Sequence, residues 1–172
     1  MQEMLPFRNP FVWLWRFRHR KGYGIHSPFA FSLVTQVLYS PGHYYAYEWL
    51  DGLMSRWQRA FPSRRKACLR LLFRLANYWQ PSYIEAPEGT LTELAYLHAG
   101  CGAAKLSTRQ DDSFVLHGKN GTMFVVYDMQ RHLTLWSKIV ADPRVHVSFD
   151  LRDMGIAFDN PNLQRQHYII NW

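Results

Sequence analysis

The sequence predicts an α/β protein, with a helical N-terminal layer over residues 1–80 packed on a reduced sheet that ends in an antiparallel C-terminal edge. Three observations predict it. Apolar residues recur at helical spacing between Ser27 and Trp79. After Pro81, short apolar runs alternate with a helical stretch. The last runs, over 145–149, 154–158 and 167–170, follow one another through short links, with Asp153 between the first two.

Composition supports one domain. A chain of 172 residues buries about 70% of the surface that its unfolded form exposes. Hydrophobic residues at 48% and aromatics at 16% argue against disorder. The apolar run 11–15 is too short to cross a bilayer, is followed by Arg16, Arg18, Arg20 and Lys21, and lacks a small-residue cleavage site. The expected location is the cytoplasm. Cys68 and Cys101 are expected as reduced core residues. The eight histidines form no pair at metal-ligand spacing, so no metal is expected.

The N-terminal elements have clear punctuation. Ser27 before Pro28 is an N-cap with proline at the first helical position, and Ala30, Leu33, Val34, Val37 and Leu38 continue a helix over 28–39. Pro41-Gly42 breaks it, and a second helix follows over 45–59. Pro62-Ser63 opens a third, whose stripe Cys68, Leu71, Leu72, Leu75, Ala76 and Trp79 is expected to face the core. Lys66, Arg70 and Arg74 are expected on its opposite, solvated side.

Charge divides at the same boundary. Residues 1–80 hold twelve Lys or Arg against Glu3, Glu48 and Asp51, and the rest of the chain is slightly acidic within a net +7. This basic face, with Trp13, Trp15 and Phe17 interleaved near its start, makes an anionic surface such as RNA or lipid a possible partner.

The most informative stretch is 83–97, which reads as a strand over 82–86, a tight loop, and a helix over 90–99: the layout of a nucleotide-cofactor loop. The loop opens with Pro87, which has no N–H to offer, and leaves Gly89 to supply a positive φ. Further strands are expected over 114–116 and 123–127, with a helix over 133–141. Gly118-Lys119-Asn120-Gly121 favours a hairpin, whereas parallel strands cannot be joined so tightly.

The run Gly24-Ile25-His26-Ser27-Pro28-Phe29, then Tyr44-Tyr45-Ala46-Tyr47-Glu48, Val125-Val126-Tyr127-Asp128-Met129, Asp142-Pro143-Arg144-Val145 and Asp150-Leu151-Arg152-Asp153-Met154-Gly155, resembles an uncharacterised bacterial family of class I S-adenosylmethionine-dependent methyltransferases. The resemblance implies a reduced Rossmann-like methyltransferase sheet. It implies S-adenosylmethionine as cofactor, with Glu85, Gly89 and Glu93 near it, Asp128 as the catalytic acid beside the methyl acceptor, and His26 and Ser27 on the substrate rim. Catalysis would be mostly orientation of the acceptor, with Asp128 helping to remove a proton. The alternative for His26 is anchoring the helices on the sheet, and for Asp128, capping the next helix.

The chain also departs from that pattern. Pro87 and Leu91 stand where the family has glycines, and His117 where it has an aspartate. The segment 99–111 is too short for two further strand-helix units. The second strand would deliver the ribose-binding carboxylate. These losses favour a degenerate relative that acts as a binding or partner subunit over an active methyltransferase. They also leave one edge of the first strand to be covered by the 118–121 hairpin or by a second copy of the chain in a homodimer.

Overall fold

The computed structural model describes residues 24–57, 63–87, 89–108 and 121–172. It is an α/β protein whose described residues form a six-stranded mixed open sheet, compatible with a Rossmann-like fold. The helices are α1 (Pro28–Leu33), which continues as a π-helical turn over Val34–Leu38, then α2 (Ala46–Trp57), α3 (Ser63–Trp79), α4 (Leu91–Gly100) and α5 (Leu133–Ala141). The strands are β1 (Tyr83–Glu85), β2 (Lys105–Ser107), β3 (Thr122–Tyr127), β4 (Val147–Asp150), β5 (Met154–Asp159) and β6 (Gln166–Ile169). The second of the runs expected as strands, 114–116, and the proposed turn at 118–120 lie outside the described residues; Gly121 has a φ of +92°.

Strand order is β2-β1-β3-β5-β4-β6. β1 runs parallel to both β2 and β3, and β5 is antiparallel to β3 and β4. The sequence places β1 at the centre, but β3 and β5 hold that position. The edge of β1 is covered by β2 from its own chain rather than by a hairpin or a second copy. Residues 99–111 therefore do contain a strand, reached in a few residues from Gly100. The C-terminal strands also differ from a simple antiparallel edge. β5 is buried along its whole length, because it inserts between β3 and β4 and is covered on both faces. The edge strand β6 is parallel to β4.

Side-chain alternation sorts β3 between two cores. Met123 and Val125 face a large core with α1, α3 and α4, whereas Phe124 and Val126 face a smaller one with Trp136 and Ile139 of α5. Burial of each such side chain contributes about 1.5–3 kcal/mol. Helix α3 is the hub of the larger layer. Its predicted stripe is buried except for the half-buried Trp79, but Leu69, Phe73 and Arg74 are buried too, so of the face expected in solvent Lys66 is exposed, Arg70 half-buried and Arg74 covered. Helix α4 closes on α3 at Gly100, where a Cβ would meet the Phe73 carbonyl oxygen at 2.4 Å. Cys68 and Cys101 are both buried in this core.

Candidate functional site

In an open α/β sheet, ligands bind outside the carboxyl ends of the parallel strands, where the order of strands reverses. Here the chain leaves β1 toward β2 on one side and resumes at β3 on the other, so the reversal lies between β1 and β3. Glu85 ends β1 and Asp128 follows β3. Both sequence-predicted acids therefore reach the same end of the sheet.

In the turn after Glu85, the backbone donors of Ala86, Gly89 and Thr90 are all taken. The Ala86 N–H donates to the Ser107 carbonyl at 2.9 Å, and the Gly89 N–H donates back to the Ala86 carbonyl at 2.9 Å. The Thr90 N–H donates to the Glu93 carboxylate at 2.7 Å, the back-reaching half of a capping box that starts α4. Glu93, expected near a cofactor, is buried and caps its own helix. Gly89 does not take the positive φ expected of it. Glycine is required there for another reason: a Cβ would stand 2.9 Å from the Ala86 carbonyl oxygen and 3.2 Å from the Ala86 Cβ. Pro87 is buried, while Leu91 is 87% exposed.

Glu85 is level with Ser107 on one side and Phe124 on the other. Phe124 belongs to the smaller core, so the buried Glu85 side chain lies on the α5 face of the sheet, away from the N-terminal helices. The row continues through Ala157, Ser148 and His167. Ser148 and His167 share a 2.8 Å hydrogen bond, and burial holds the His167 imidazole below its ordinary pKa, against a smaller opposing effect of Asp150. Ser148 is only 2% exposed, which suits a structural pair better than a nucleophile.

Asp128 is strained. Its φ of +53° is left-handed, and its half-exposed carboxylate meets Arg131 Nε at 3.1 Å. It stands at the N-cap of a 3-10 turn over Met129–Arg131, but its side chain makes no capping bond, so the alternative capping role fails. The Met129 N–H donates to the Asp153 carbonyl at 3.1 Å, and Gln130 Nε2 donates to the Arg152 carbonyl at 2.9 Å. Arg152 is left-handed as well, at φ +75°. Two strained non-glycine residues thus share one loop junction. Along the strand direction, Asp128 lies about 13 Å beyond the level of Glu85, four residues at roughly 3.3 Å each. The two acids share an end of the sheet and do not share a contact distance.

Ser27 is the N-cap that the sequence predicts, accepting from the Ala30 N–H at 3.3 Å. His26 is exposed and does not anchor the helices. Its neighbours do. Phe29 packs edge-on against Trp79 and Phe158 at 5.1 and 5.5 Å, and Ile25 lies against the same core.

No family model, no curated protein and no solved structure matches this chain. The family resemblance therefore stands on its motif residues alone. Among the described residues, no helix is long and apolar enough to cross a membrane, and no group of three or more His, Cys, Asp or Glu is placed to hold a metal ion.

Sequence reasoning missed a second constellation. Asp51 of α2 receives Lys66 Nζ at 2.7 Å and Arg70 Nη2 at 2.5 Å, and the Tyr96 hydroxyl donates to its other oxygen at 2.6 Å. Burial pushes the Asp51 carboxyl up, but hydrogen bonds from Lys66, Tyr96 and Arg70 outweigh it and hold the group below its ordinary range. Burial and the Asp51 charge together push the Tyr96 phenol upward. Arg74 is more than nine-tenths buried, with Nε donating to the Val37 carbonyl at 2.9 Å. The available signal was Asp51 itself, a rare acid in a strongly basic segment. The residues 13–21 of the proposed basic face lie outside the described residues.

Proposed function

We propose that this chain is a degenerate methyltransferase-like protein that keeps the scaffold as a binding or partner subunit and has lost ordinary S-adenosylmethionine binding. The described residues of the turn after β1 carry the reading. Its Gly89 and Thr90 N–H groups are spent inside the loop, Pro87 has none, and the Glu93 carboxylate is spent on its helix cap. These residues do not fit the cofactor as an open cradle. A glycine-lined loop serves a ligand by offering free backbone donors and close approach. β2, in the place of the ribose-binding strand, ends at Ser107 without a carboxylate. The mixed sheet, parallel through β2, β1 and β3 and antiparallel at β5, supports the Rossmann-like methyltransferase ancestry. Tyr45 and Trp49, 99% and 62% exposed at one end of α2, support a role that involves a partner.

The test is calorimetric titration of S-adenosylmethionine into the purified protein. The reading expects no binding in the micromolar range, and Pro87→Gly alone should not create it, because the Gly89 and Thr90 donors remain occupied and β2 still brings no carboxylate. A dissociation constant at or below micromolar for the natural sequence sinks the reading.

One observation favours an active enzyme as the second reading. Asp128 is left-handed, half-exposed and at the carboxyl end of β3, and strain of this kind concentrates at functional sites. That reading requires both tight cofactor binding and loss of methyl transfer in Asp128→Asn.

A further inference from the structure

The strongest unassigned feature is a cavity of about 420 Å³ on the N-terminal helical layer, between α3 and the chain that follows the π-helical turn. Lys66, Arg70 and Arg74 line it from α3, and Tyr47, His43 and Trp172 add aromatic walls. At i, i+4 and i+8 the three cations share one helix face, and like charges so placed repel. Among the described residues only Asp51 answers them, and it is engaged with Lys66 and Arg70.

Arg74 has no such answer. It is 8% exposed, and its bonds are to neutral groups: the Val37 carbonyl and, at 3.5 Å, the Tyr47 hydroxyl. Among the described residues no carboxylate pairs with it. A guanidinium buried without a counter-charge is strongly unfavourable, and such groups are normally paired. Arg70 adds a second unused donor, since its Nε is buried without a hydrogen-bond partner. The remaining wall is fixed. Trp172 Nε1 donates to the Leu38 carbonyl at 2.6 Å, and the Tyr39 hydroxyl donates to the Asn171 carbonyl. π-Helical turns of this kind recur at functional sites.

We infer that this cavity binds a small phosphorylated molecule, whose phosphate supplies the counter-charge that Arg74 lacks and an acceptor for the buried Arg70 Nε. Arginine forks match phosphate oxygens, and the Lys66 ammonium adds a point charge at the mouth. The volume suits a metabolite-sized ligand. A flat polyanion such as RNA would leave the buried Arg74 unreached. The aromatic walls suit a planar group attached to the phosphate. This inference does not rest on the methyltransferase ancestry.

The test uses the full chain and three probes: inorganic phosphate, inorganic pyrophosphate and adenosine 5′-monophosphate, each titrated calorimetrically. At least one is expected to bind, more weakly as salt rises, and adenosine monophosphate above inorganic phosphate if the aromatic walls contribute. Arg74→Met should weaken binding at least tenfold while keeping or raising the melting temperature, because an apolar isostere removes a buried charge. If Arg74→Met fails to fold, Arg70→Gln carries the test and should also lose at least tenfold. Absence of binding by all three probes up to about 10 mM, beyond the weak end of specific recognition, overturns the inference. So does binding that both variants leave unchanged, or binding of RNA or anionic vesicles without binding of any small probe.

Discussion

The indole of Trp136 lies directly on the backbone of Gly155. A Cβ at residue 155 would stand 2.5 Å from the ring. This contact seats α5 on β5 and closes the smaller core, in which Trp136 packs with Phe124, Val126 and Ala157. Glycine is needed there for space, since Gly155 has no positive φ.

Gly155→Ala is therefore expected to destabilise the protein by about 1–3 kcal/mol through overpacking. Urea unfolding followed by circular dichroism reads it. Combining it with Trp136→Phe should recover part of the loss, because the two residues touch and their effects are coupled. Purely additive effects would show that the ring is free to move aside.

Asp51 makes stability depend on acid. Its folded pKa is lowered from an ordinary 3.8, so its ionised form stabilises the fold fully above that value. The contribution is lost as pH falls through the lower, folded value. Asp51→Asn is expected to cost about 1–3 kcal/mol at neutral pH, and the gap from the natural protein should shrink below about pH 4. Denaturant midpoints from pH 7 to pH 2.5 check it. A gap that stays constant across that range would place the Asp51 contribution outside its charge.

The capping box gives a local test. Glu93→Ala removes the acceptor for the Thr90 N–H and should cost about 0.5–2 kcal/mol. If Glu93 instead served a ligand, its removal would leave the unfolding midpoint almost unchanged.

Much of the architecture was legible in local chemistry. Ser27-Pro28 opens α1, Pro41-Gly42 precedes α2, and the apolar stripe of α3 faces inward, because caps, breakers and periodicity act over a few residues. What failed depends on partners distant in sequence. Arg74 reads as solvated from its helix spacing, but the Val37 carbonyl, 37 residues away, takes its Nε. The run 154–158 reads as part of an antiparallel edge, but β5 lies inside the sheet, where Gly155 and Ala157 face the smaller core. They are small because Trp136 and its neighbours cover that face. Gly89 was legible as necessary and misread in its reason: the limit is the Ala86 carbonyl, with no positive φ involved. The candidate acids Glu85 and Asp128 both reach the carboxyl end of the parallel strands. Their separation was hidden, because β1 stops level with Phe124 while β3 runs on to Tyr127.

That longer strand delivers Asp128 into its left-handed turn, and the strain there can be weighed against any role for the carboxylate. At φ +53°, glycine sits without steric cost, asparagine tolerates the conformation, and alanine does not. Asp128→Gly should leave stability unchanged or raise it, even though it removes the exposed pair with Arg131, because such pairs contribute little. Asp128→Ala should be less stable than Asp128→Gly by about 1 kcal/mol, the usual cost of a side chain in this region. Unfolding midpoints of the two variants, with Asp128→Asn between them, decide the matter. If Asp128→Ala equals or exceeds Asp128→Gly in stability, the backbone relaxes on substitution and the strain comes from the aspartate itself. If Asp128→Gly is more stable than both Asp128→Ala and the natural protein, the fold holds residue 128 in a conformation for which aspartate is not the best structural choice.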